Sequence, residues 1–300
     1  MRSAVKAVVE TGLDWAGVTR LARHRMDGRV LVLAYHNVVP DGTAAGDLAN
    51  HLPVSRFAAQ LEELRATHDV IPLSEMMRPA PARGRPRVAI TFDDAYRGAV
   101  TLGVDELTRR AMPATIFVAP AFVGGRSFWW DALATPEGLD PAVRTRALVD
   151  LAGGDEAIRR WAASAGLVVA RVPDVACAAS DEELARAAAR PGVTLGSHSW
   201  SHPNLTRLAP SELAAELSRP REWLRARFAN VIDWLAYPYG LHDKAVAAAA
   251  AGAGYAAAVA ISGGWVPRTA PDHFAIPRVN IAPGLSIRGF ALRAAGLLCD

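Results

Sequence analysis

The sequence has very little cysteine and no long apolar run. Its 300 residues include only two cysteines, Cys177 and Cys299, and the second lies next to the end of the chain, which argues against a framework of disulfides. The longest uncharged stretch, residues 245–261, consists mostly of alanine and glycine. It falls short of the roughly 20 strongly apolar residues that a membrane-spanning helix needs. We therefore interpret it as a helix followed by a strand.

The sequence also lacks a strong charge of either sign. Lysine and arginine number 33 and aspartate and glutamate 30, which gives a formal net charge of +3. This charge is too small, and the arginines too scattered, to indicate nucleic-acid binding. The hydrophobic content of 51% with 21% charged residues is typical of a globular protein with an ample core and excludes a disordered chain.

The first residues lack the features of a secretory signal. Glu10 and Asp14 interrupt the apolar residues, and no small-residue cleavage site follows. Valine and leucine recur there at helical spacing, so we predict an amphipathic helical extension over residues 1–28. Such a helix either packs on the main domain or lies on an anionic membrane surface. The expected location is accordingly the cytoplasm or, as a peripheral protein, the inner face of the membrane.

Short apolar runs alternate with helical patterns through the rest of the chain, residues 29–300. This alternation predicts an α/β fold with β/α repeats around a parallel sheet or barrel. A region at about 119–190 interrupts it, and we interpret that region as an insertion and not as a separate domain. The predicted strands cover residues 30–35, 70–73, 88–92, 114–118, 193–197, 232–237, 256–261 and 275–281, and the clearest helices cover 55–67, 97–110 and 211–228.

Two adjacent carboxylates stand at the end of one predicted strand. Residues 87–96 read RVAITFDDAY, so Asp93 and Asp94 follow a buried apolar run. Two such acids are costly unless positive charge lies beside them. Residues 197–205, SHSWSHPNL, offer His198 and His202. One carboxylate with two imidazoles forms a facial triad that leaves positions open on a divalent metal ion, and the second carboxylate could then act as a general base.

These motifs, in this order and at these spacings, resemble those of the polysaccharide deacetylase family (NodB-homology domain, carbohydrate esterase family 4). TFDD and the later H-S-x-x-H match the first two motifs, and Tyr237-Pro238-Tyr239-Gly240 is similar to the third. The resemblance covers most of residues 30–281. It implies a distorted (β/α) barrel of the NodB-homology type that hydrolyses N-acetyl groups on amino sugars.

The resemblance also implies a role for each matched residue. Asp94, His198 and His202 would bind the metal, and Asp93 would be the catalytic base. The backbone N–H of Tyr239 would help to stabilise the oxyanion while the ring shapes the substrate groove. Mixed nitrogen and oxygen ligands suit Zn²⁺, although Co²⁺, Ni²⁺ or Fe²⁺ would also fit.

The sequence departs from the family pattern at two places. Ala236 stands where many members carry an arginine that contacts the catalytic aspartate. Arg278 is either its substitute or part of an ordinary salt bridge. The late Leu-x-His motif, whose histidine protonates the leaving amine, is not evident near the end of the chain. His36, which follows predicted strand 30–35, resembles the acid of the permuted exopolysaccharide deacetylases, and with an ordinary pKa of about 6.5 it would deliver a proton near neutrality. His273 is the alternative acid.

Aromatic residues supply the remaining candidates. Trp129 and Trp130 either stack on sugar rings, whose faces are apolar, or pack in the core. The other histidines are expected at the surface or in loops: His24, His51, His68 and His242.

The predicted function is metal-dependent removal of N-acetyl groups from the amino sugars of a polysaccharide or glycan precursor. The expected partner is an acetylated amino-sugar glycan, not a nucleic acid, with membrane contact through the N-terminal helix as a further hypothesis. The alternatives are an O-deacetylase or small-molecule amide hydrolase on the same barrel and a catalytically silent glycan-binding module. Because pure binding needs no base beside a metal, Asp93 and Asp94 together favour an enzyme.

Overall fold

A parallel sheet of eight strands forms the centre of the protein. The structure, a computed structural model, describes residues 22, 26, 29–78, 84–261, 263–266 and 272–297. Apart from residues 22 and 26, the predicted N-terminal extension lies outside the described residues, as does Cys299. The strands are β1 (Val30–Tyr35), β2 (Asn37–Val39), β3 (His51–Pro53), β4 (Asp69–Val70), β5 (Arg87–Phe92), β6 (Ala114–Val118), β7 (Val193–Ser197), β8 (Val231–Ala236), β9 (Ala257–Val259) and β10 (Val279–Asn280).

The order of the strands follows the chain over most of the sheet. It runs β10-β1-β5-β6-β7-β8-β9, with β4 paired to β5, while β2 and β3 form a separate two-stranded sheet. The pairs are parallel, with Tyr35 beside Phe92 and Val118 beside Ser197. Since parallel strands end at the same edge of a sheet, the residues that follow β1, β5, β7 and β8 meet there.

The two outer strands of the sheet are linked through residues 276–280. Val279 of β10 pairs with Leu33 of β1, and Ile276 forms a parallel bridge to Val259 of β9. The sheet is thereby curled into a distorted (β/α) barrel, which confirms the predicted fold class. The predicted strand 275–281 is shorter than expected, because Pro277 has no N–H to donate to a ladder.

The described helices lie mainly between successive strands. They are α1 (Val54–Thr67), α2 (Val104–Arg109), α3 (Trp129–Ala132), α4 (Pro141–Val149), α5 (Asp155–Ser164), α6 (Asp181–Ala188), α7 (Pro210–Arg227), α8 (Lys244–Gly252) and α9 (Ile287–Ala294). The segment between β6 and β7, predicted as an insertion, contains α3 to α6. None of the helices in the described ranges has the length and apolarity to cross a membrane.

Two helix starts differ in detail from the sequence prediction. Ser55 does not cap α1, which begins after Pro53; instead the Asp41 carboxylate accepts a hydrogen bond from the Ser55 N–H at 3.1 Å. The predicted helix 97–110 contains a π-helical turn at Ala99–Gly103 before α2 begins, and the Asn37 side chain accepts the Ala99 N–H there at 3.1 Å. In both cases a side-chain oxygen of a residue distant in sequence accepts a hydrogen bond from a backbone N–H near the start of the helix.

The strand residues alternate between two apolar layers. Leu31 and Leu33 of β1 pack in one cluster with Phe57 and Leu61 of α1. Val32 belongs to another cluster, which draws a residue from each of several strands and fills the barrel: Ala89, Phe117, Trp234 and Val259. All six residues of β1 are buried, as expected of a strand covered on both faces.

Candidate metal centre and catalytic site

The turns after β5 and β7 and the segment after β8 carry the motif residues. Asp93 and Asp94 directly follow β5, and His198 directly follows β7. The described chain has seven non-glycine residues with positive φ, and five of them belong to these turns or to the segment after β8: Asp94, Ala95, Ser199, His202 and Tyr239. Strained backbone of this kind concentrates at functional sites because the surrounding structure must hold it in place.

Asp94, His198 and His202 converge on one point. The Nε2 atoms of the two histidines lie 3.1 Å apart, and Asp94 Oδ1 lies 3.6 Å from His198 Nε2 and 3.3 Å from His202 Nε2. Tetrahedral ligands about 2.0–2.1 Å from a zinc ion would lie about 3.3–3.4 Å from one another. The spacing of the three ligand atoms therefore fits a single divalent cation.

The hydrogen bonding of Asp94 and His198 is also consistent with a bound cation. Asp94 Oδ1 is buried and has no hydrogen-bond partner among the described residues. His198 donates from Nδ1 to the Ala236 carbonyl oxygen at 2.8 Å, which fixes the tautomer and leaves the Nε2 lone pair facing Asp94. Histidines that bind metals usually donate a hydrogen bond from their other ring nitrogen in this way.

Burial dominates the protonation equilibria of the triad. Burial, together with the nearby carboxylates of Asp93 and Asp131, raises the pKa of Asp94 well above its ordinary value. Burial lowers the pKa of His198, and burial with the neighbouring His198 lowers that of His202 further. Without a cation, then, Asp94 tends to hold a proton and both imidazoles are neutral. A divalent cation would replace that proton.

Asp93 lies next to the triad in a buried ion pair. The guanidinium of Arg278 donates from Nη1 to Asp93 Oδ1 and from Nη2 to Oδ2, both at 2.7 Å, and neither side chain is more than 1% exposed. Burial alone would raise the pKa of Asp93, but Arg278, with help from His198 and His36, lowers it well below the ordinary value. Arg278 thus occupies the position predicted for a substitute of the arginine absent at Ala236.

His36 lies in the same cavity, but its titration differs from the sequence prediction. Burial lowers the pKa of His36 to about 4, and the negative charge of the nearby Asp93 offsets only part of this decrease. This value lies below the ordinary pKa of about 6.5, because the partly buried imidazole is less hydrated than in water and lies near Arg278. The alternative acid, His273, is exposed and does not line the cavity.

The cavity above the triad has a volume of about 360 Å³. It is lined by the triad, by Asp93 and His36, and by the rings of Trp130 and Tyr239. The other lining residues come from the loop before β3, from α4, from the segments after β8 and β9, and from β10: Ala49, Asn50, Arg144, Leu148, Leu241, Ile261 and Asn280. The structure thus brings Tyr239 and Trp130 to the site. Trp129 is 1% exposed and does not line this cavity; its Nε1 donates to the Tyr239 hydroxyl at 3.1 Å.

Sequence reasoning missed several polar residues that support the site. His51 is buried in β3, so the prediction of a surface or loop position is wrong for this residue; its Nε2 donates to the buried Asp131. His68 is also buried, but it lies in the loop after α1, and its Nε2 lies 2.9 Å from the Ala294 carbonyl oxygen. Glu216 of α7 accepts hydrogen bonds from the loop between His198 and His202. Only a long-range contact identifies these residues, since none of them belongs to a motif. His24 lies outside the described residues.

Comparisons with known proteins agree with this fold. The family model for polysaccharide deacetylase matches residues 80–258, while no protein with a curated description matches the chain. Among solved structures, the deacetylase PplD of Streptococcus pyogenes is 16% identical with a TM-score of 0.60 over 87% of this chain and 96% of that chain. IcaB from Ammonifex degensii is 18% identical with a TM-score of 0.60 over 90% and 98% of the two chains.

A third structure, the BpsB deacetylase domain from Bordetella bronchiseptica, is 16% identical, with a TM-score of 0.57 over 84% of this chain and 95% of that chain. At such identities these likenesses establish the fold alone. The family model, however, spans more than half of the chain and includes Asp93, Asp94, His198, His202 and Tyr239. The protein belongs to the polysaccharide deacetylase family, the NodB-homology group of carbohydrate esterase family 4.

Proposed function

We propose that the protein removes N-acetyl groups from amino sugars of a polysaccharide or glycan precursor, with a divalent cation, most simply Zn²⁺, held by Asp94, His198 and His202. The observation that carries the proposal is the set of three buried ligand atoms 3.1–3.6 Å apart beside the ionised Asp93. A cation bound there would polarise the acetamide carbonyl and lower the pKa of water.

Asp93 is the proposed general base. Its lowered pKa keeps it ionised near neutrality, and the two hydrogen bonds from Arg278 fix the plane of its carboxylate. A weak base suffices where a cation also acidifies the water. Asp93 takes one proton from water as the water oxygen adds to the carbonyl carbon, and the carbonyl oxygen becomes the oxyanion to which the Tyr239 N–H is proposed to donate.

His36 is the proposed acid. With its pKa at about 4 it is neutral in the free site at pH 7, so it must gain a proton while substrate is bound. Negative charge on the oxyanion favours the imidazolium form. His36 takes this proton from solvent and donates it to the amide nitrogen; the C–N bond breaks as the oxyanion re-forms a carbonyl, and the free amine and acetic acid leave. Acetic acid and Asp93 then release their protons to solvent, which yields acetate and restores the ionised Asp93. Trp130 and Tyr239 present aromatic surface to the sugar.

Acetate release tests the proposal. Purified protein would be incubated with N-acetylated chitooligosaccharides and, in parallel, with O-acetylated xylooligosaccharides, with and without chelator and added Zn²⁺. We expect acetate from the N-acetylated substrates, loss of activity with chelator and recovery with Zn²⁺. Release from O-acetyl esters alone, or activity that chelator does not affect, would contradict the proposal.

Two histidine variants sharpen this test. His202→Ala removes a proposed ligand, so metal content and activity should fall together while the fold remains. His273→Ala is the matched control, because His273 is exposed and outside the cavity, and it should retain both. Full activity in His202→Ala would exclude the proposed ligand set.

A further inference from the structure

The two histidine ligands are held in different ways. His198 has the usual hydrogen bond from Nδ1, to the Ala236 carbonyl oxygen. The buried Nδ1 of His202 has no hydrogen-bond partner on any other described residue, although the backbone of His202 itself interacts with the ring. Since histidines that bind metals almost always donate from the second nitrogen to a partner that sets the ring orientation, His202 needs another support.

Aromatic rings supply that support. The Trp130 ring lies 4.9 Å from the His202 ring at 52°, and the Tyr239 ring lies 4.5 Å from it at 83°. The two rings also contact each other, with centroids 5.9 Å apart. The orientation of His202 therefore depends on where Trp130 and Tyr239 are fixed.

A directed chain of hydrogen bonds fixes Trp130. Its Nε1 donates to the Tyr96 hydroxyl at 2.7 Å, and that hydroxyl donates to Asp131 Oδ2 at 2.6 Å. Tyr96 and Asp131 are fully buried. Because the hydroxyl accepts from one side and donates to the other, both of its hydrogen-bonding functions are used and the indole has one preferred position.

Asp131 anchors this chain to the rest of the cavity wall. Its Oδ1 accepts from the Asp47 N–H at 2.8 Å and from His51 Nε2 at 2.9 Å, so both carboxylate oxygens are satisfied. The loop approaches so closely that a Cβ on Gly46 would lie 2.1 Å from Asp131 Oδ1. The same loop continues to Asn50, which lines the cavity.

We propose that Asp131 is a positioning residue that orients the metal ligand His202 through Tyr96 and Trp130. The aromatic contact takes the place of the missing Nδ1 hydrogen bond. This inference rests on the proposed function for the identity of His202 as a ligand. It assigns to Asp131, Tyr96 and Trp130 an effect on metal affinity beyond their packing.

Tyr96→Phe is the most informative variant, because it keeps the ring and deletes only the hydroxyl that joins Trp130 to Asp131. We expect its dissociation constant for Zn²⁺ to rise about 10–100-fold, the usual effect of losing an outer-shell partner. Asp131→Asn should act in the same direction. In a Trp130→Phe background, which already lacks the indole N–H, Tyr96→Phe should add little.

Tyr35→Phe is the matched control. The Tyr35 hydroxyl also donates one buried hydrogen bond, to Gln60 at 3.0 Å on α1, and its ring packs on Phe57 and Phe92 and not on His202. This variant should lose comparable thermal stability with its Zn²⁺ affinity within about twofold of the parent protein. If Tyr96→Phe shows the same pattern as Tyr35→Phe, its hydroxyl has only a structural role and the proposal is overturned.

The imidazole NMR signals of the metal-free protein give a readout independent of both metal and activity. Tyr96→Phe should shift or broaden the His202 signals more than those of His198, which contacts His202 but keeps its bond to Ala236. Unchanged His202 signals would overturn the proposal. If the parent protein bound no Zn²⁺ while the His202 signals responded, the positioning of His202 would stand and the metal-dependent function would fall.

Discussion

At the scale of single residues, Asp93 and Arg278 form an ion pair whose two charges are both buried. Removing one partner of such a pair leaves a charge in the protein interior without compensation, which typically costs about 3–5 kcal/mol. Arg278 also donates to the Thr91 hydroxyl at 3.0 Å and the Ala260 carbonyl at 3.1 Å, so it ties β5 to β9 near the point where the sheet curls. Arg278 therefore keeps the proposed base ionised and also links strands of the barrel.

We predict that Arg278→Ala lowers the free energy of unfolding by about 3–5 kcal/mol at pH 7 and lowers turnover strongly. Without the guanidinium the pKa of Asp93 rises, so the native variant keeps a proton that the unfolded chain has lost. The variant then becomes less stable as the pH rises through the new pKa, and its deficit should be smaller at pH 4 than at pH 7. Urea unfolding at both pH values measures this.

A surface pair serves as the control for that prediction. Arg225→Ala breaks an ion pair with Asp233, in which the arginine side chain is 52% exposed. Exposed pairs contribute about 0–1 kcal/mol, so little stability should be lost. A similar loss in both variants would mean that burial of the Asp93–Arg278 pair adds nothing.

His36 provides the second prediction at this scale. His36→Gln should lower kcat by about 10²–10⁴-fold, the usual contribution of a general acid, with metal content unchanged. In the metal-free protein the His36 imidazole should titrate at about 4. Because this pKa lies below its unfolded value, His36 makes folding less favourable as the pH falls from about 6.5 to 4. Titration by NMR near 6.5, or loss of metal in the variant, would contradict this assignment.

At the scale of elements, helix α7 holds the loop that joins the two proposed histidine ligands. The Glu216 carboxylate of α7 accepts the backbone N–H of Trp200 at 2.9 Å and that of Ser201 at 2.8 Å, and also the Ser201 hydroxyl at 2.6 Å. These bonds fix a loop in which Ser199 and His202 have positive φ. Helix α7 thus restrains the loop between the proposed ligands His198 and His202, although neither residue lies in the helix.

We predict that Glu216→Ala weakens Zn²⁺ binding about 10–100-fold, because the loop loses three acceptor contacts and can relax from its strained backbone. Glu212→Ala, one turn earlier on the same helix, is the control, since within the described ranges Glu212 accepts only the exposed Ala209 N–H. Calorimetric titration with Zn²⁺ measures both affinities. Equal affinities in the two variants would show that α7 does not hold the ligands in place.

The sequence predicted the regular elements better than the supports of the site. Residues 30–35, 114–118 and 193–197 were assigned as strands with the observed limits, because each is a short apolar run with clear ends. The close approach of Asp94, His198 and His202 also followed from motif order. Asp131 and Glu216 could not be found, because a buried carboxylate with distant donors looks in sequence like any acid on a helix. The low pKa of His36 depends on burial, which the sequence does not give.

At the scale of the whole molecule, the barrel brings together groups that lie far apart in the chain. Asp94 follows β5, the histidines follow β7, Arg278 precedes β10 and His36 follows β1. A cation bound to Asp94, His198 and His202 would cross-link the ends of two strands that are separated in the sheet by β6. Binding that is restricted to the folded state must stabilise the entire domain.

We predict that Zn²⁺ raises the free energy of unfolding by about 2.7 kcal/mol when present at 100 times its dissociation constant. The gain should increase with pH, because Asp94 has a raised pKa and its proton competes with the cation, whereas the neutral His198 and His202 release none. The metal-free protein should show the opposite trend: because the pKa of Asp94 is raised in the folded state, the fold loses stability as the pH rises and the buried carboxyl group loses its proton. Thermal unfolding with chelator or Zn²⁺ at pH 5.5 and 8 measures the difference. Asp94→Asn should abolish both the shift and its pH dependence, and a shift that persists in this variant would place the cation elsewhere.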